Sequence, residues 1–231
     1  MPSTLDRVVV LSPHLDDGVL SLGGWMWRMS RRGSTITLVT VMAGDPDDDA
    51  PASSWDRRSG FRTAGEAAVR RREEDRRACA ILGLRPFWLP LGDMLYGRGG
   101  TDDDAWSAIE ELTGGADAVL APGTPLGHPD HAWLARLVTD RRTALPTLAL
   151  YAEQPYRYLG GGALGIPSSI AEAAGAVRWH REPLDASARM AKLRAVRAYR
   201  SQLRFLSERR ALAWRLAWAR RGAGEAIAWL S

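Results

Sequence analysis

The sequence has little cysteine and no long apolar run. Cys79 is the only cysteine among 231 residues, which excludes both a disulfide framework and a thiolate zinc cluster. No apolar run reaches the roughly 20 residues that cross a bilayer, and Asp6 and Arg7 come too early for an N-terminal signal segment. We therefore expect a cytoplasmic protein with no membrane partner, in which any metal site uses histidine and carboxylate ligands.

Lysine is almost absent as well. Lys192 is the only lysine, so arginine supplies the other basic residues behind the net charge of +4. The arginine clusters alternate with acidic or apolar residues at helical spacing, which is typical of solvated helix faces rather than of phosphate-binding surfaces. We expect no nucleic-acid partner. The composition, 45% hydrophobic and 25% charged, predicts one globular domain over residues 1–231.

Short apolar runs alternate with amphipathic stretches along most of the chain. The predicted strands are Val8–Leu11, Thr35–Met42, Phe87–Leu89, Ala118–Ala121, Thr147–Tyr151 and Ala176–Trp179. The predicted helices are Val19–Arg31, Ala64–Leu82, Asp104–Leu112, Pro129–Arg141 and two within Ala186–Ala219, and residues 43–63 form a long loop. This order predicts an α/β three-layer sandwich with a mostly parallel sheet over residues 1–153 and a helical C-terminal cap over residues 154–231.

Three of the four histidines lie in two short acidic motifs. The first motif is Pro13-His14-Leu15-Asp16-Asp17, and the second is Gly127-His128-Pro129-Asp130-His131. Each follows the end of a predicted strand. Because ligands bind at the carboxyl ends of the strands in open α/β sheets, we expect the two motifs to meet in one crevice.

The residue types in these motifs suit a catalytic metal centre. His14 and Asp17 can reach one cation from a tight turn, and His131 can complete a set of three ligands for Zn²⁺. Asp16 would then act as general base, and His128 would stabilise charge on a reacting carbonyl oxygen. The spacing predicts one zinc ion per chain, with a position left for water.

Each motif alone also has a purely structural interpretation. A single loop histidine is most often solvated, and an Asp-Asp pair after a strand is often a helix N-cap, but two such motifs at matching strand ends favour a site. His180 is interpreted as a structural residue of an edge strand. The chain has neither a phosphate-binding glycine motif nor a G-x-S-x-G nucleophile elbow.

The two motifs, with Thr40–Gly44, Arg71–Gly83, Leu91-Gly92-Asp93 and Ala198–Gln202, resemble the PIG-L/LmbE-like family of zinc-dependent N-deacetylases. The branch that acts in antibiotic and small-thiol biosynthesis is the most similar. The resemblance implies a Rossmann-like fold and the same zinc ligands, base and oxyanion residue. The sequence departs from the family pattern at Leu15 and Gly18, and neither of these residues is one of the implied zinc ligands.

The resemblance also implies further roles. Asp130 would orient His14 or His128 from behind the metal, and Arg71 and Asp93 would bind substrate. Arg70, Arg71 and Arg72 are contiguous, so the sequence leaves open which of them faces the substrate and which lie on a solvated helix face.

Three functions remain open from the sequence. The leading one is removal of an N-acetyl or similar N-acyl group from an amino sugar attached to a small molecule in secondary metabolism. The second is an amidase that cleaves a larger conjugate, and the third is an arginine-rich binding protein that has lost catalysis. Trp55, Tyr156 and Tyr158 are candidate faces for a sugar ring. The partner would be a small glycoside or N-acyl compound, and a homo-oligomer is possible.

Overall fold

A computed structural model describes residues 5–156, 164–203 and 225–230. Its strands are β1 (Arg7–Ser12), β2 (Thr35–Thr40), β3 (Arg85–Trp88), β4 (Ala118–Thr124), β5 (Leu148–Ala152), β6 (Trp179–Glu182) and β7 (Glu225–Trp229). They form one sheet in the order β3-β2-β1-β4-β5-β7-β6. The first five strands pair in parallel, while β7 runs antiparallel to both β5 and β6. The predicted mostly parallel sheet is confirmed.

The helices pack on both faces of this sheet. They are α1 (Asp17–Arg31), α2 (Ser54–Ser59), α3 (Ala64–Leu82), α4 (Asp102–Thr113), α5 (Pro129–Asp140), α6 (Ala171–Ala174), α7 (Ala186–Val196) and α8 (Arg200–Leu203), with a 3-10 turn at Arg142–Ala144. None of these helices is long and apolar enough to cross a membrane, a finding that covers the described residues only.

Successive side chains along the buried strands point to opposite faces of the sheet and form two hydrophobic cores. In β1, Val8 and Val10 face a core that contains residues of α1, α3 and α7, while Val9 and Leu11 face a second core with α4 and α5. Both faces of the strand are buried, as a central parallel strand requires. The three-layer architecture follows from these two cores.

The C-terminal part differs from the helical cap that the sequence predicts. It supplies β6 and β7 to the same sheet, and β7 was not predicted at all. Strand β6 begins at Trp179, three residues after its predicted start. Of the two helices predicted within Ala186–Ala219, α7 and the start of a second helix, α8, are present, and residues 204–219 lie outside the described residues.

The order of the strands fixes the place of the site. The chain runs outward from β1 to β2 and β3 on one side, and outward from β4 to β5 on the other. The direction of winding therefore changes between β1 and β4, where the loops that leave the two strands diverge and open a crevice. The first histidine motif follows β1, and the second follows β4.

Candidate active site

The polar turn after β1 supplies the first part of the site. Its conformation is closed by Ser12, whose Oγ donates to the His14 carbonyl oxygen at 2.7 Å and accepts from the Gly18 N–H at 2.8 Å. The His14 N–H donates to Asp17 Oδ2 at 3.0 Å. These bonds satisfy the backbone where the strand passes into α1, and they fix His14 and Asp17 on the same side of the turn.

Asp16, between them, has an unusual backbone conformation. Its φ of 144° and ψ of −34° lie in a region that residues with a Cβ rarely adopt. Its side chain lines the cavity above the sheet, and no hydrogen bond reaches the carboxylate from the residues that the structure describes. Burial, together with the charge of Asp17, raises the pKa of the Asp16 carboxyl well above its usual range.

The second part of the site is the first turn of α5. Pro129 occupies its first position, which needs no N–H donor, and His128 is the N-cap. The Asp130 N–H donates to His128 Nδ1 at 3.2 Å, so the proton of a neutral His128 ring is on Nε2. Burial and the neighbouring charges of His14 and His131 lower the pKa of His128, which favours this neutral form.

Three side-chain atoms from the two motifs converge at the floor of the crevice. His14 Nδ1 lies 3.2 Å from Asp17 Oδ2 and 3.2 Å from His131 Nε2, and His131 Nε2 lies 3.1 Å from Asp17 Oδ2. Ligands at zinc-to-nitrogen distances, arranged tetrahedrally around one ion, are about 3.3 Å apart. The spacing of this triangle therefore fits a single zinc-sized cation.

Carboxylates on the outer side of both histidines support the same interpretation. His14 Nε2 is 3.1 Å from Asp130 Oδ2, and His131 Nδ1 pairs closely with Glu153 Oε1. With the ring protons directed at these carboxylates, the lone pairs of both neutral rings point toward Asp17 Oδ2. Carboxylates in this position orient histidine ligands in metal sites.

The electrostatics of the triangle favour positive charge. Burial opposes protonation of His14, but hydrogen bonds with Asp130 and Asp17 outweigh it and raise the pKa of His14 to about 9. For His131, the charge and hydrogen bond of Asp17, with the bond to Glu153, likewise overcome burial and raise the pKa to about 11. A site that takes up protons this strongly also favours a divalent cation.

A second set of ligands overlaps with the triangle. His14, His128 and His131 each offer a ring nitrogen within 4.8 Å of the others. The triangle with Asp17 is tighter, and the Asp130 N–H occupies His128 Nδ1 and leaves the proton on Nε2. His14 and His131 belong to both sets, and His128 Nε2 is placed as a hydrogen-bond donor.

Above the triangle lies a cavity of about 620 Å³. Its walls come from the loop after β2, α2, the start of α3, the turn after β3 and the segment after β5. Residues from these elements include Asp45, Trp55, Asp56, Arg71, Asp93, Tyr96, Arg98 and Tyr156. The predicted sugar-binding faces Trp55 and Tyr156 line this cavity, and Tyr158 lies outside the described residues.

The structure distinguishes the three contiguous arginines of α3. Arg71 faces the cavity and forms a close ion pair with the buried carboxylate of Asp56. Arg72 instead donates to the carbonyl oxygens of Ala43 and Gly44, while Arg70 lies on the exposed side near Glu74. The orientation of α3 therefore directs Arg71, rather than Arg70 or Arg72, toward the cavity. The charge of Arg71 is already balanced there by Asp56.

Asp93 lies at the rim of the cavity, on the turn after β3. Its Oδ1 accepts from the Leu95 N–H at 2.8 Å, and none of the described residues forms a hydrogen bond with its Oδ2. Glu153 is a residue of the site that the sequence analysis missed. It directly follows β5, so the strand-end rule that identified His14 and His128 could have found it.

Comparison with known proteins gives a family match and related structures. The PIG-L family model, described as GlcNAc-PI de-N-acetylase, matches residues 9–141. A 2'-N-acetylparomamine deacetylase of Streptomyces fradiae is 35% identical over 144 residues, which are 54% of this chain and 48% of that protein. The chain thus spans about half the length of that curated relative.

Two solved structures match nearly the whole chain. The crystal structure of a deacetylase of the antimicrobial reagent A40926 pseudoaglycone is 25% identical, with a TM-score of 0.76 and coverage of 98% of this chain and 97% of that one. A deacetylase of the teicoplanin biosynthesis pathway has the same fold, with a TM-score of 0.79, 22% identity and coverage of 97% and 98%. The family that the two histidine motifs predicted is thereby confirmed. Since the family model matches more than half of the chain, the protein belongs to the PIG-L family.

Proposed function

We propose that the protein is a zinc-dependent hydrolase that removes an N-acetyl or similar N-acyl group from an amino sugar attached to a small molecule, in secondary metabolism. The observation that carries this proposal is the triangle of His14, Asp17 and His131 at the cavity floor. Asp16 lines the same cavity, and none of the described residues forms a hydrogen bond with its carboxylate. The names of the relatives, deacetylases of 2'-N-acetylparomamine and of the A40926 pseudoaglycone, support the same reaction type.

The metal would be held by His14, Asp17 and His131, with Asp130 and Glu153 orienting the two imidazoles. Two imidazoles and one carboxylate are a donor set that Zn²⁺ prefers in hydrolytic enzymes. When bound, such an ion polarises an acyl carbonyl and lowers the pKa of water.

The chain's own residues then supply the proton transfers. Asp16 accepts the proton of the water whose oxygen forms the new bond to the acyl carbon. The carbonyl oxygen gains negative charge in that step, and His128 Nε2–H donates a hydrogen bond to it. As the amide C–N bond breaks, Asp16 returns the proton to the departing nitrogen, which leaves a free amine and a carboxylic acid that ionises to the carboxylate by releasing its proton to solvent.

The cavity above the triangle favours a sugar substrate. Its volume of about 620 Å³ is in the usual range for sites that enclose a small molecule. Asp93 offers an oxygen to sugar hydroxyls, and Trp55 and Tyr156 offer flat faces for the ring or for an attached group. Because Asp56 already balances Arg71, we assign Arg71 to neutral polar contacts with the substrate rather than to binding an anion.

The experiment is a direct assay of acyl release with measured metal content. We expect acetate release from N-acetylglucosamine glycosides, preferred over N-acetyl amino acids, by protein that contains one zinc ion per chain. Asp16→Asn is expected to keep the zinc and to lose about a hundredfold or more in turnover. His131→Ala is expected to lose both zinc and activity.

The other outcomes separate the remaining functions. Preference for N-acetyl amino acids, or full activity in Asp93→Ala, would reject the sugar substrate while retaining amide hydrolysis. Release of a longer acyl group without acetate would favour the amidase. Protein that never takes up stoichiometric zinc and hydrolyses none of these amides would favour the binding protein.

A further inference from the structure

The turn after β3 is held to the protein by polar contacts rather than by burial. We name residues 92–98 the rim turn. Met94 and Leu95, its large apolar residues, are 52% and 56% exposed, so little apolar surface anchors them. Inside the turn, the Gly97 N–H donates to the Asp93 carbonyl oxygen at 2.9 Å and the Gly92 N–H to the Arg98 carbonyl oxygen at 3.3 Å. These bonds shape the rim turn but do not place it on the cavity.

Two buried carboxylates place the rim turn. Tyr96 Oη donates to Asp56 Oδ2 at 2.7 Å, which connects one side of the turn to α2. On the other side, the Met94 N–H donates to Asp130 Oδ2 at 3.0 Å, and Arg98 Nη1 donates to Asp130 Oδ1 at 3.0 Å. Asp130 has no exposed surface, so water competes little for these two bonds.

Asp130 is shared between the rim turn and the metal centre. The oxygen that accepts from Met94 also lies 3.1 Å from His14 Nε2. His14 and the Met94 amide therefore meet on one oxygen atom, while Arg98 engages the other. Asp130 therefore connects the imidazole of His14 to the backbone next to Asp93, and Arg98 engages the oxygen that does not contact His14.

Arg98 is bound from two directions. Its guanidinium carbon lies 4.7 Å from the ring centroid of Trp133 on α5, in addition to the ion pair with Asp130. Trp133 is itself fixed by a 2.9 Å bond from Nε1 to Asp102. A planar guanidinium can stack and form an ion pair at the same time, which a lysine ammonium does less well.

We propose that Arg98 is a positioning residue, which holds the rim turn, and with it Asp93, in place through the buried carboxylate of Asp130. The inference rests on the proposed function for the role of Asp93 in substrate binding. Arg98 also lines the cavity, and a direct contact with substrate is the competing role. Its guanidinium is already engaged by Asp130 and Trp133, which favours positioning.

The first test needs no substrate. Hydrogen exchange of the Met94 and Gly97 amides is measured in the full chain, in Arg98→Met and in Arg98→Lys. We expect faster exchange of both amides in Arg98→Met and a smaller increase in Arg98→Lys, which keeps the charge without the flat face. Arg77→Met is the control, because Arg77 forms a comparable 2.9 Å ion pair with Glu73 on the exposed face of α3. Exchange unchanged by Arg98→Met would overturn the proposal.

The second test is a double-mutant cycle with Asp93→Ala. If Arg98 acts by placing Asp93, Arg98→Met raises KM about tenfold with kcat nearly unchanged, and this effect largely disappears in the Asp93→Ala background. Additive losses would instead assign Arg98 to direct substrate contact and overturn positioning. If no N-acetyl amino sugar is hydrolysed, the proposed function fails, and the exchange result decides the role of Arg98 independently.

Discussion

Replacing Asp16 by alanine and by glycine separates the strain of its backbone from the chemistry of its carboxylate. Both variants lose the carboxylate, but only glycine also loses the Cβ that makes a φ of 144° costly. At an ordinary position, glycine is less stable than alanine by about 0.4–1 kcal/mol because it gives the unfolded chain more freedom. At position 16 we expect the reverse order.

The size of the effect follows from two opposing contributions. A residue held in a sparsely populated region of φ and ψ costs about 1–3 kcal/mol of folding free energy. The entropy that glycine adds to the unfolded chain removes about 0.4–1 kcal/mol of that gain. The glycine variant should therefore be about 1 kcal/mol more stable than the alanine variant, which corresponds to a Tm about 2–4 °C higher for a chain of this size.

The assay is thermal unfolding followed by circular dichroism. It is performed with a chelator present, because bound metal adds its own stabilisation and these variants can differ in affinity. Ala80→Gly, on the exposed face of α3, is the control and should lose about 1 kcal/mol. Neither variant of Asp16 should turn over substrate. If glycine at position 16 proves less stable than alanine by the usual amount, the backbone there is not strained and our reasoning is wrong.

Three further predictions concern buried charge. Glu153→Gln should weaken zinc binding about 10–100-fold in a competition assay with a metal indicator, because Glu153 orients the ring of His131. Since the pKa values of His14 and His131 are raised to about 9 and about 11, protons compete with the metal for both rings. Apparent affinity should therefore fall as pH falls below about 9, and calorimetry in buffers of different ionisation enthalpy should detect release of protons when zinc binds. Lys192→Met leaves the buried carboxylate of Glu225 without its cation and should cost about 3–5 kcal/mol in urea unfolding. Lys192→Met with Glu225→Gln should recover most of that loss.

Local signals were sufficient for the parallel part of the fold and for the residues at the strand ends. Val8–Leu11 is apolar on both faces, and His14 lies three residues after its end. A few neighbouring residues therefore indicate both the burial of the strand and the point where it ends. Gly83 marks the end of α3 because it adopts a φ of +73°, which glycine does at little cost. Signals of this kind depend only on neighbours in the sequence.

The parts that were missed depend on partners far along the chain. Strand β7 consists of five residues that pair with β5 and β6, and nothing within Glu225–Trp229 indicates those partners. Strand β6, with the sequence Trp-His-Arg-Glu, lacks the apolar alternation that would set its limits. The choice among the three contiguous arginines was decided by how α3 packs, because successive helical positions point in directions that differ by about 100°.

The order in which the strands lie also sets the order in which the sheet can be completed during synthesis. Strand β7 leaves the ribosome after the six other strands of the described sheet, yet it lies between β5 and β6. Until Glu225–Trp229 emerges, β5 keeps an unpaired edge on which a strand of another nascent chain could pair. The Gly24 and Trp25 N–H groups also lack their acceptor until Glu225 is synthesised, since its carboxylate accepts from them at 2.9 Å and 2.6 Å. Chains that stall before residue 225 should therefore aggregate through β5, whereas chains that extend past residue 229 cover that edge with their own β7.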